Sequence, residues 1–294
     1  MEIRTLRYFL AVAREENMTR AAELLHVTQP TLSKALRSLE EELGKKLFTR
    51  SSFSIRLTEE GVLLRDRAAD LISMADKIEH EFLSLDDVDG GEIYFGLAES
   101  YQIRHLARAI LALKRTCPAL RYHITSGDTE QVTEKLEKGL LDFAVVCSTP
   151  DVAKYRFLEF PEADRFGLIV PSDHLLSGKA FVTPEDLAGL PLFCSEQSWE
   201  NDICPWAGKN FDRLHLEGSF RLSYNGSMFA REGLGCLLTL EHLIDVSPES
   251  GLCFIPLSPT LALRFYLIWN RYQTFTPIAE RFLTQITTSF SVSG

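Results

Sequence analysis

No apolar run in the sequence approaches the ~20 residues that a bilayer span requires, so a helical membrane protein is not expected. The chain does not open with a basic stretch followed by an uninterrupted apolar segment, and a secretory signal is not expected either. Cys-x-x-Cys pairs are missing, and no His is spaced to complete a zinc site with Cys117, Cys147, Cys194, Cys204, Cys236 or Cys253. Phosphate-binding loops and metal-ligand clusters are also absent, so neither a metal nor a cofactor is called for. The scattered cysteines read as mostly buried thiols in a reducing, cytoplasmic setting. A redox pair such as Cys194 and Cys204 stays open, because sequence alone does not fix connectivity. An overall excess of positive charge is lacking too: the 294 residues carry a formal net charge of −10. That total does not exclude nucleic acid, because charge acts locally on DNA. Residues 1–60 hold ten Lys/Arg against nine Asp/Glu, whereas residues 61–89 hold three against eight.

What is present begins with helices. Leu6, Phe9, Leu10 and Ala13 form one apolar stripe at helical spacing. Asn17 is placed to cap a second helix carrying Ala21, Ala22, Leu24 and Leu25, with the alanines suited to a close helix crossing. Thr28 is an N-cap for a third helix, with Pro30 in its first turn, where a missing N–H costs nothing. That helix is expected to bury Leu32, Leu36, Leu39 and Leu43 and to end at Gly44. Two helices joined by a tight turn outline a helix-turn-helix. The outward face of the third helix shows Gln29, Thr31, Ser33, Lys34, Arg37 and Ser38, with no carboxylate before Glu40 and Glu41. An amide reads adenine, a cation reads guanine or holds phosphate, and the helix N-terminus favours a phosphate oxygen. Taken alone, this face suits an ordinary solvated three-helix bundle equally well. Thr49 to Leu57 then alternates and carries Arg50 and Arg56, as a β-wing along a DNA backbone would. Thr58 caps the next helix, with Glu59 and Glu60 in its first turn.

The run Thr19-Arg20-Ala21-Ala22-Glu23-Leu24-Leu25-His26-Val27-Thr28-Gln29-Pro30-Thr31-Leu32-Ser33 resembles the LysR-type winged helix-turn-helix. Leu39-Glu40, Leu43-Gly44, Leu47-Phe48-Thr49-Arg50 and Leu57-Thr58-Glu59-Glu60-Gly61 continue the likeness at the family's intervals. Asn17 stands where that family usually has Ser, Met18 where it has an aromatic, and Phe53 in the wing where it often has Arg. The resemblance implies a transcriptional regulator that holds a promoter dyad as a dimer or tetramer. Its DNA contacts are expected from Thr28, Gln29, Pro30, Thr31, Ser33, Lys34, Arg37, Arg50 and Arg56.

From Thr58 to about Asp86 the chain has no Pro and no Gly beyond Gly61, so one long helix is expected. Leu64, Ala68, Leu71, Ala75, Ile78, Phe82 and Leu85 recur by four and three, a coiled-coil seam. A single amphipathic helix packed on its own domain is the other reading of that stripe. The resemblance favours a linker that pairs two subunits, which matters because two recognition helices on two half-sites multiply affinity.

The acidic, glycine-ended stretch from Asp86 to Gly91 reads as a hinge. Beyond it, strand-like and helical patterns alternate, which argues for an α/β domain with largely parallel strands. Strands are expected over 93–97, 122–125, 143–147, 167–170, 192–194, 236–240 and 265–269, with helices near 103–114, 132–138 and 277–290. The domains are therefore 1–58 (winged helix-turn-helix), 59–89 (linker and hinge) and 90–294 (effector-binding). The order of this last region is similar to the LysR effector domain, a periplasmic-binding-protein-like fold in which two subdomains flank a cleft. The first subdomain is placed at 90–163 plus 268–294 and the second at 164–267. By this resemblance Ser100, Thr129, Ser148, Gln197 and Asn225 are expected to line the cleft and hold a small metabolite. The same residue types also favour helix caps and turns. Glu99, Asp128 and Glu196 would suit a cationic group, which leaves the ligand's charge open. Trp199 and Trp206 either wall the cleft or pack in the core.

Two other function classes are open to such a chain. Cys147, His123 and His215 supply the raw material of a nucleophile–base pair, but no nucleophile motif surrounds them, so no catalytic residue is expected. A small-molecule-binding protein with no DNA output would account only for the second half of the chain.

Overall fold

The computed structural model describes residues 1–50, 55–85 and 89–292, which fall into two compact units, Met1–Ser84 and Leu85–Gly294. The wing tip with Phe53, the side chain of Arg50 and the hinge residues 86–88 lie outside the described residues.

The first unit holds α1 (Ile3–Glu15), α2 (Met18–Leu24), α3 (Gln29–Leu43), β1 (Phe48–Arg50), β2 (Ile55–Leu57) and α4 (Glu59–Ser84). Its core joins Leu6, Phe9 and Val12 of α1, Ala21 and Ala22 of α2, and Leu32, Leu36 and Leu39 of α3. Leu10 and Ala13 are only partly buried at its edge. Asn17 caps α2 as expected, its Oδ1 accepting from the N–H groups of Thr19 (2.9 Å) and Arg20 (3.0 Å). Gly44 ends α3 at φ 64°, a left-handed conformation that glycine adopts without steric cost. Gly61 is required for another reason: a Cβ there would lie 2.2 Å from the Leu47 carbonyl oxygen. Leu43, expected to be buried, is 41% exposed, and Leu24 of α2 is 50% exposed. Each sits in the last turn of its helix, past the point where the stripe meets the core.

The second unit is two lobes. The first sheet has the order β4-β3-β5-β13-β6, from β3 (Gly90–Leu97), β4 (Ala119–Ser126), β5 (Phe143–Val146), β6 (Tyr155–Glu159) and β13 (Tyr266–Asn270). The second has the order β11-β7-β10-β8-β9, with β12 (Ala262–Leu263) paired to β7. Its other strands are β7 (Asp164–Pro171), β8 (Pro191–Ser195), β9 (His215–Phe220), β10 (Cys236–Leu240) and β11 (Leu252–Pro256). The helices are α5 (Ile103–Leu113), α6 (Thr129–Glu137), α7 (Glu196–Ser198), α8 (Cys204–Ala207), α9 (Ser223–Arg231) and α10 (Pro277–Val292). One apolar core runs through both lobes, from Phe95, Phe143 and Phe282 to Leu168, Leu192 and Leu238.

The expectation of largely parallel strands needs correction. β3 pairs parallel with β4 and β5, and β8 with β9 and β10. The strand by which the chain enters each lobe runs the other way. β7 is antiparallel to β10, β11 and β12, and β13 is antiparallel to β5 and β6. The second crossing lies before Tyr266 rather than at 268, because Tyr266 and Leu267 already pair with β5 in the first sheet.

Candidate DNA-reading face and interlobe cleft

α3 is set up by its own termini. Thr28 Oγ1 accepts from the Thr31 N–H at 3.4 Å and shares a 2.8 Å hydroxyl contact with Thr31 Oγ1. Gln29, Pro30, Thr31, Lys34, Arg37 and Ser38 are exposed, while Ser33 is half-buried. Glu40 does not belong to the outward set. It is 8% exposed, and its Oε1 accepts from the N–H groups of Leu47 (2.9 Å) and Phe48 (3.4 Å), while Lys46 Nζ donates to Oε2 at 2.8 Å. Burial works to raise the pKa of this carboxyl, but the Lys46 ammonium and the two amides outweigh it and hold it below the usual carboxylate range. This carboxylate is thus turned inward, where it anchors the start of the wing, while Glu41 and Glu42 at the end of α3 are exposed. In the wing Thr49 opposes Arg56, and the Arg56 side chain is exposed. Thr58 Oγ1 accepts from the Gly61 N–H at 3.0 Å and donates to the Lys46 carbonyl at 2.7 Å, tying the wing to α4.

α4 divides the expected seam. Ala68 is fully buried in the core of the first unit, and Leu64 packs partly buried against the same core with Ile72. Arg7 of α1 pairs with Asp76 further along. Leu64 and Ala68 are therefore corrected from pairing residues to core residues, because α1 reaches that face of the helix first. Leu71 (45%), Ile78 (46%), Phe82 (71%) and Leu85 (45%) remain exposed, with Ala75 half-buried among them.

Between the lobes lies a cavity of about 400 Å³, lined among others by Glu99, Asp128, Glu196, Gln197, Ser219, Arg221 and Ser223. Polar contacts cross it. The Ser223 N–H donates to Glu99 Oε2 at 2.7 Å, and Arg221 stands 4.0 Å from Asp128. Gln197 accepts from the Thr129 N–H at 3.2 Å, and its Nε2 donates to Thr129 Oγ1 (3.2 Å) and Cys147 Sγ (3.0 Å). Asp128 also caps α6, accepting from the Gln131 N–H at 2.9 Å.

Of the five expected effector residues, Gln197 lines the cavity itself. Thr129 and Ser148 lie in an adjoining groove that shares Asp128, Glu196, Gln197 and Arg221 with it. Ser100 does not line the cavity. It is 6% exposed, its hydroxyl donates to Asp164 Oδ2 at 2.6 Å, and its Oγ accepts from the Gln102 N–H at 2.9 Å. Asp164, the first residue after the crossing into the second lobe, also receives the Tyr101 N–H (2.9 Å) and Gln102 Nε2 (2.6 Å). Ser100 therefore serves the crossing between the two lobes (the interlobe hinge, distinct from the stretch 86–91). Asn225 is an exposed residue of α9 that does not line the cavity but a neighbouring hollow with Phe193, Gly218 and Phe229, which shares Ser219, Phe220 and Arg221 with it. It sits past the cavity because β9 ends at Phe220, so Ser219, Arg221 and Ser223 take the lining positions. Recognising β9 would have supplied them through the carboxyl-end rule for such sheets. Trp199 and Trp206 pack against the core, Trp206 donating its Nε1–H to the Pro259 carbonyl at 2.6 Å.

All six cysteines are free thiols. Burial, with Asp202 nearby, pushes the Cys194 thiol well above its ordinary value, and burial also raises Cys147, Cys236 and Cys253. Among the described residues no group of acids, His and Cys is arranged to hold a metal, and no helix is long and apolar enough to cross a membrane.

Comparison with known proteins accords with both halves. Residues 3–62 match the bacterial regulatory helix-turn-helix protein, lysR family, and residues 86–291 match the LysR substrate binding domain. The chain is 31% identical over 265 residues to the Escherichia coli (strain K12) DNA-binding transcriptional dual regulator OxyR, covering 87% of this chain and 85% of the relative. It is 29% identical over 265 residues, with the same coverage, to the hydrogen peroxide-inducible genes activator of Pectobacterium carotovorum subsp. carotovorum. Its fold matches full-length CbnR, a structure solved with its target DNA, at a TM-score of 0.76 and 20% identity, covering 98% of this chain and 100% of that one. With both domains matched in order, the chain belongs to the LysR family of DNA-binding transcriptional regulators.

Proposed function

We propose that the protein is a cytoplasmic regulator that grips an interrupted promoter dyad as a dimer or tetramer and answers to a small metabolite in its interlobe cleft, acting by binding and not by catalysis. The observation that carries this reading is the outward face of α3, where Gln29, Lys34 and Arg37 stand exposed while Glu40 is turned inward. Thr28, Pro30, Thr31 and Ser33 position the helix N-terminus against phosphate, with Arg50 and Arg56 of the wing on the flanking backbone. Pairing runs through the exposed part of the α4 seam, Leu71, Ile78, Phe82 and Leu85, with Ala75 between them. Gln197 and Thr129 bridge the two lobes at the cleft and Ser148 stands at its mouth, so a ligand that enters there displaces or reinforces a cross-lobe contact. Such a ligand alters regulation only by preferring one lobe arrangement over the other.

Peroxide-dependent activation, suggested by the name of the Pectobacterium relative, does not follow from this geometry. The thiolate is the reactive form of cysteine, and Cys194 is fully buried with its thiol pKa pushed up. The test of the function is selection of bound DNA from randomised sequences by the full chain at two salt concentrations. Enrichment of a dyad with half-sites one or more helical turns apart is expected. Retention of DNA without any enriched sequence at either salt would contradict it.

A further inference from the structure

We propose that the ligand of the interlobe cleft carries a positively charged nitrogen, a primary ammonium or a guanidinium, held by Glu99 and Glu196. This rests on the reading of the cleft as the effector site and adds the chemical class of the effector. The cavity is lined by three carboxylates, Glu99, Asp128 and Glu196, and by one cationic side chain, Arg221. Arg221 is 4.0 Å from Asp128 and offsets that charge. The partners of the other two carboxylates are neutral. Glu99 receives the Ser223 N–H at 2.7 Å, and Glu196 receives the Ser219 hydroxyl at 2.8 Å. These donors fix where the carboxylates stand without removing their charge. The hydroxyls of Ser223 and Thr239, both buried in the wall, hydrogen-bond to one another at 2.8 Å, which uses one of their two O–H groups.

The surroundings of the cleft have the same sign. The groove that adjoins the cleft adds Glu130, Asp151 and Glu200 to the shared Asp128 and Glu196. Glu134 and Glu137 of the same groove are offset by Lys138 and Lys154. A channel of one sign between low-dielectric walls concentrates ions of the opposite sign. Behind the carboxylates the cavity wall is apolar, with Phe166, Leu238, Leu240, Leu243, Leu263 and Phe265. That wall suits the methylene chain of an amine, whose charged end then reaches Glu99 and Glu196. A mono- or dicarboxylate meets two uncompensated charges of its own sign and only Arg221 in its favour. A basic amino acid and the amine left by its decarboxylation share the charged nitrogen, and Arg221 distinguishes them, since only the amino acid has a carboxylate to place there.

The experiment is calorimetric titration and thermal unfolding of the full-length protein with lysine, arginine, putrescine and spermidine, against succinate and benzoate, at low and physiological salt. At least one of the four nitrogen cations is expected to bind saturably and raise the unfolding temperature, more weakly as salt rises. Its affinity is expected to fall about tenfold in Glu99→Gln and in Glu196→Gln, and to hold in Glu249→Gln, an exposed carboxylate outside the cleft lining. Ligand-free unfolding of each variant checks that it folds. A preference for the amino acids that disappears in Arg221→Gln identifies a zwitterionic effector, and equal binding of amines identifies a simple cation; either supports the proposal. Failure of all four cations to bind overturns it. Binding of succinate or benzoate that is lost in Arg221→Gln overturns the cationic class and leaves the cleft as the effector site. A ligand of either sign whose affinity ignores all three cleft substitutions overturns the cleft reading itself.

Discussion

The face of α3 and the interlobe cleft are both polar surfaces, yet they are built in opposite ways. The first comes from ten consecutive residues, Gln29 to Ser38, on one helix whose buried side is fixed by Leu32 and Leu36. The second draws on segments as far apart as Glu99 and Arg221, brought together by two sheets that exchange strands. Their charges are opposite too. In the first unit Glu40 is drawn inward and the cations stay outside, whereas in the cleft the carboxylates line the cavity and one arginine stands against them. A chain of net charge −10 thus still offers DNA a stretch, Gln29 to Ser38, that carries no carboxylate, because what matters is where each carboxylate is held.

That contrast can be broken most severely at the hinge. Asp164 is 4% exposed and accepts from the Ser100 hydroxyl, the Tyr101 N–H and Gln102 Nε2. Asp164→Ala strands all three donors and is expected to destabilise the second unit by about 3 kcal/mol. Trp199, Trp206 and Trp269 all lie in that unit, so tryptophan fluorescence during denaturant unfolding reads it alone. An unchanged midpoint would mean that the hinge carboxylate is dispensable.

The next largest effect belongs to α3. Gln29→Ala is expected to cost about tenfold in affinity for the selected site and to relax preference at one base position, in keeping with an amide–adenine pair. Lys34→Ala should weaken binding to all sequences alike and reduce the salt slope by about 1. Competition binding against mutated sites separates the two, and identical behaviour of both variants would argue against a division between reading and gripping.

A smaller effect tests the inward turn of Glu40. Glu40→Gln loses the ion pair with Lys46 and weakens two amide contacts, at about 1–2 kcal/mol in the first unit. Because the folded pKa of Glu40 is lowered, its contribution is fully present above the unfolded carboxylate value and is lost as pH falls through the folded value. Hydrogen exchange of the Leu47 and Phe48 amides should therefore accelerate as pH falls through the acid range, relative to intrinsic rates. Glu40→Gln should flatten that dependence, and a variant that tracks the wild type would remove Glu40 from the account. Smallest of all, mild peroxide treatment should leave DNA affinity unchanged, since the described thiols are free and four of them have raised pKa values. A peroxide-dependent shift that Cys194→Ser abolishes would show that the buried thiol becomes reachable.

The same contrast explains what could be read from sequence. Helix caps at Asn17, Thr28, Gly44 and Thr58 are local, and each stands where its residue type predicts. The seam on α4 was legible as a stripe, but periodicity does not say which neighbour covers it, and α1 claims Ala68 before any second subunit can. In the second unit, strands rich in Phe, Val and Leu were visible, whereas β9, His-Leu-Glu-Gly-Ser-Phe, alternates between exposed and half-buried and gives little apolar signal. Losing β9 displaced the expected lining from Ser219, Arg221 and Ser223 to Asn225. Ser100 looked like a ligand residue for the reason that makes it a good hinge residue: a small hydroxyl at the start of a helix satisfies a buried carboxylate as readily as a metabolite.

The most direct test titrates a selected DNA site with the full-length wild type and with Gln29→Ala/Lys34→Ala/Arg37→Ala over a range of salt. The account predicts that the triple variant loses sequence preference and shows a shallower salt slope, while its ligand binding at the cleft is intact. Undiminished, sequence-specific binding by that variant would contradict the assignment of DNA recognition to α3.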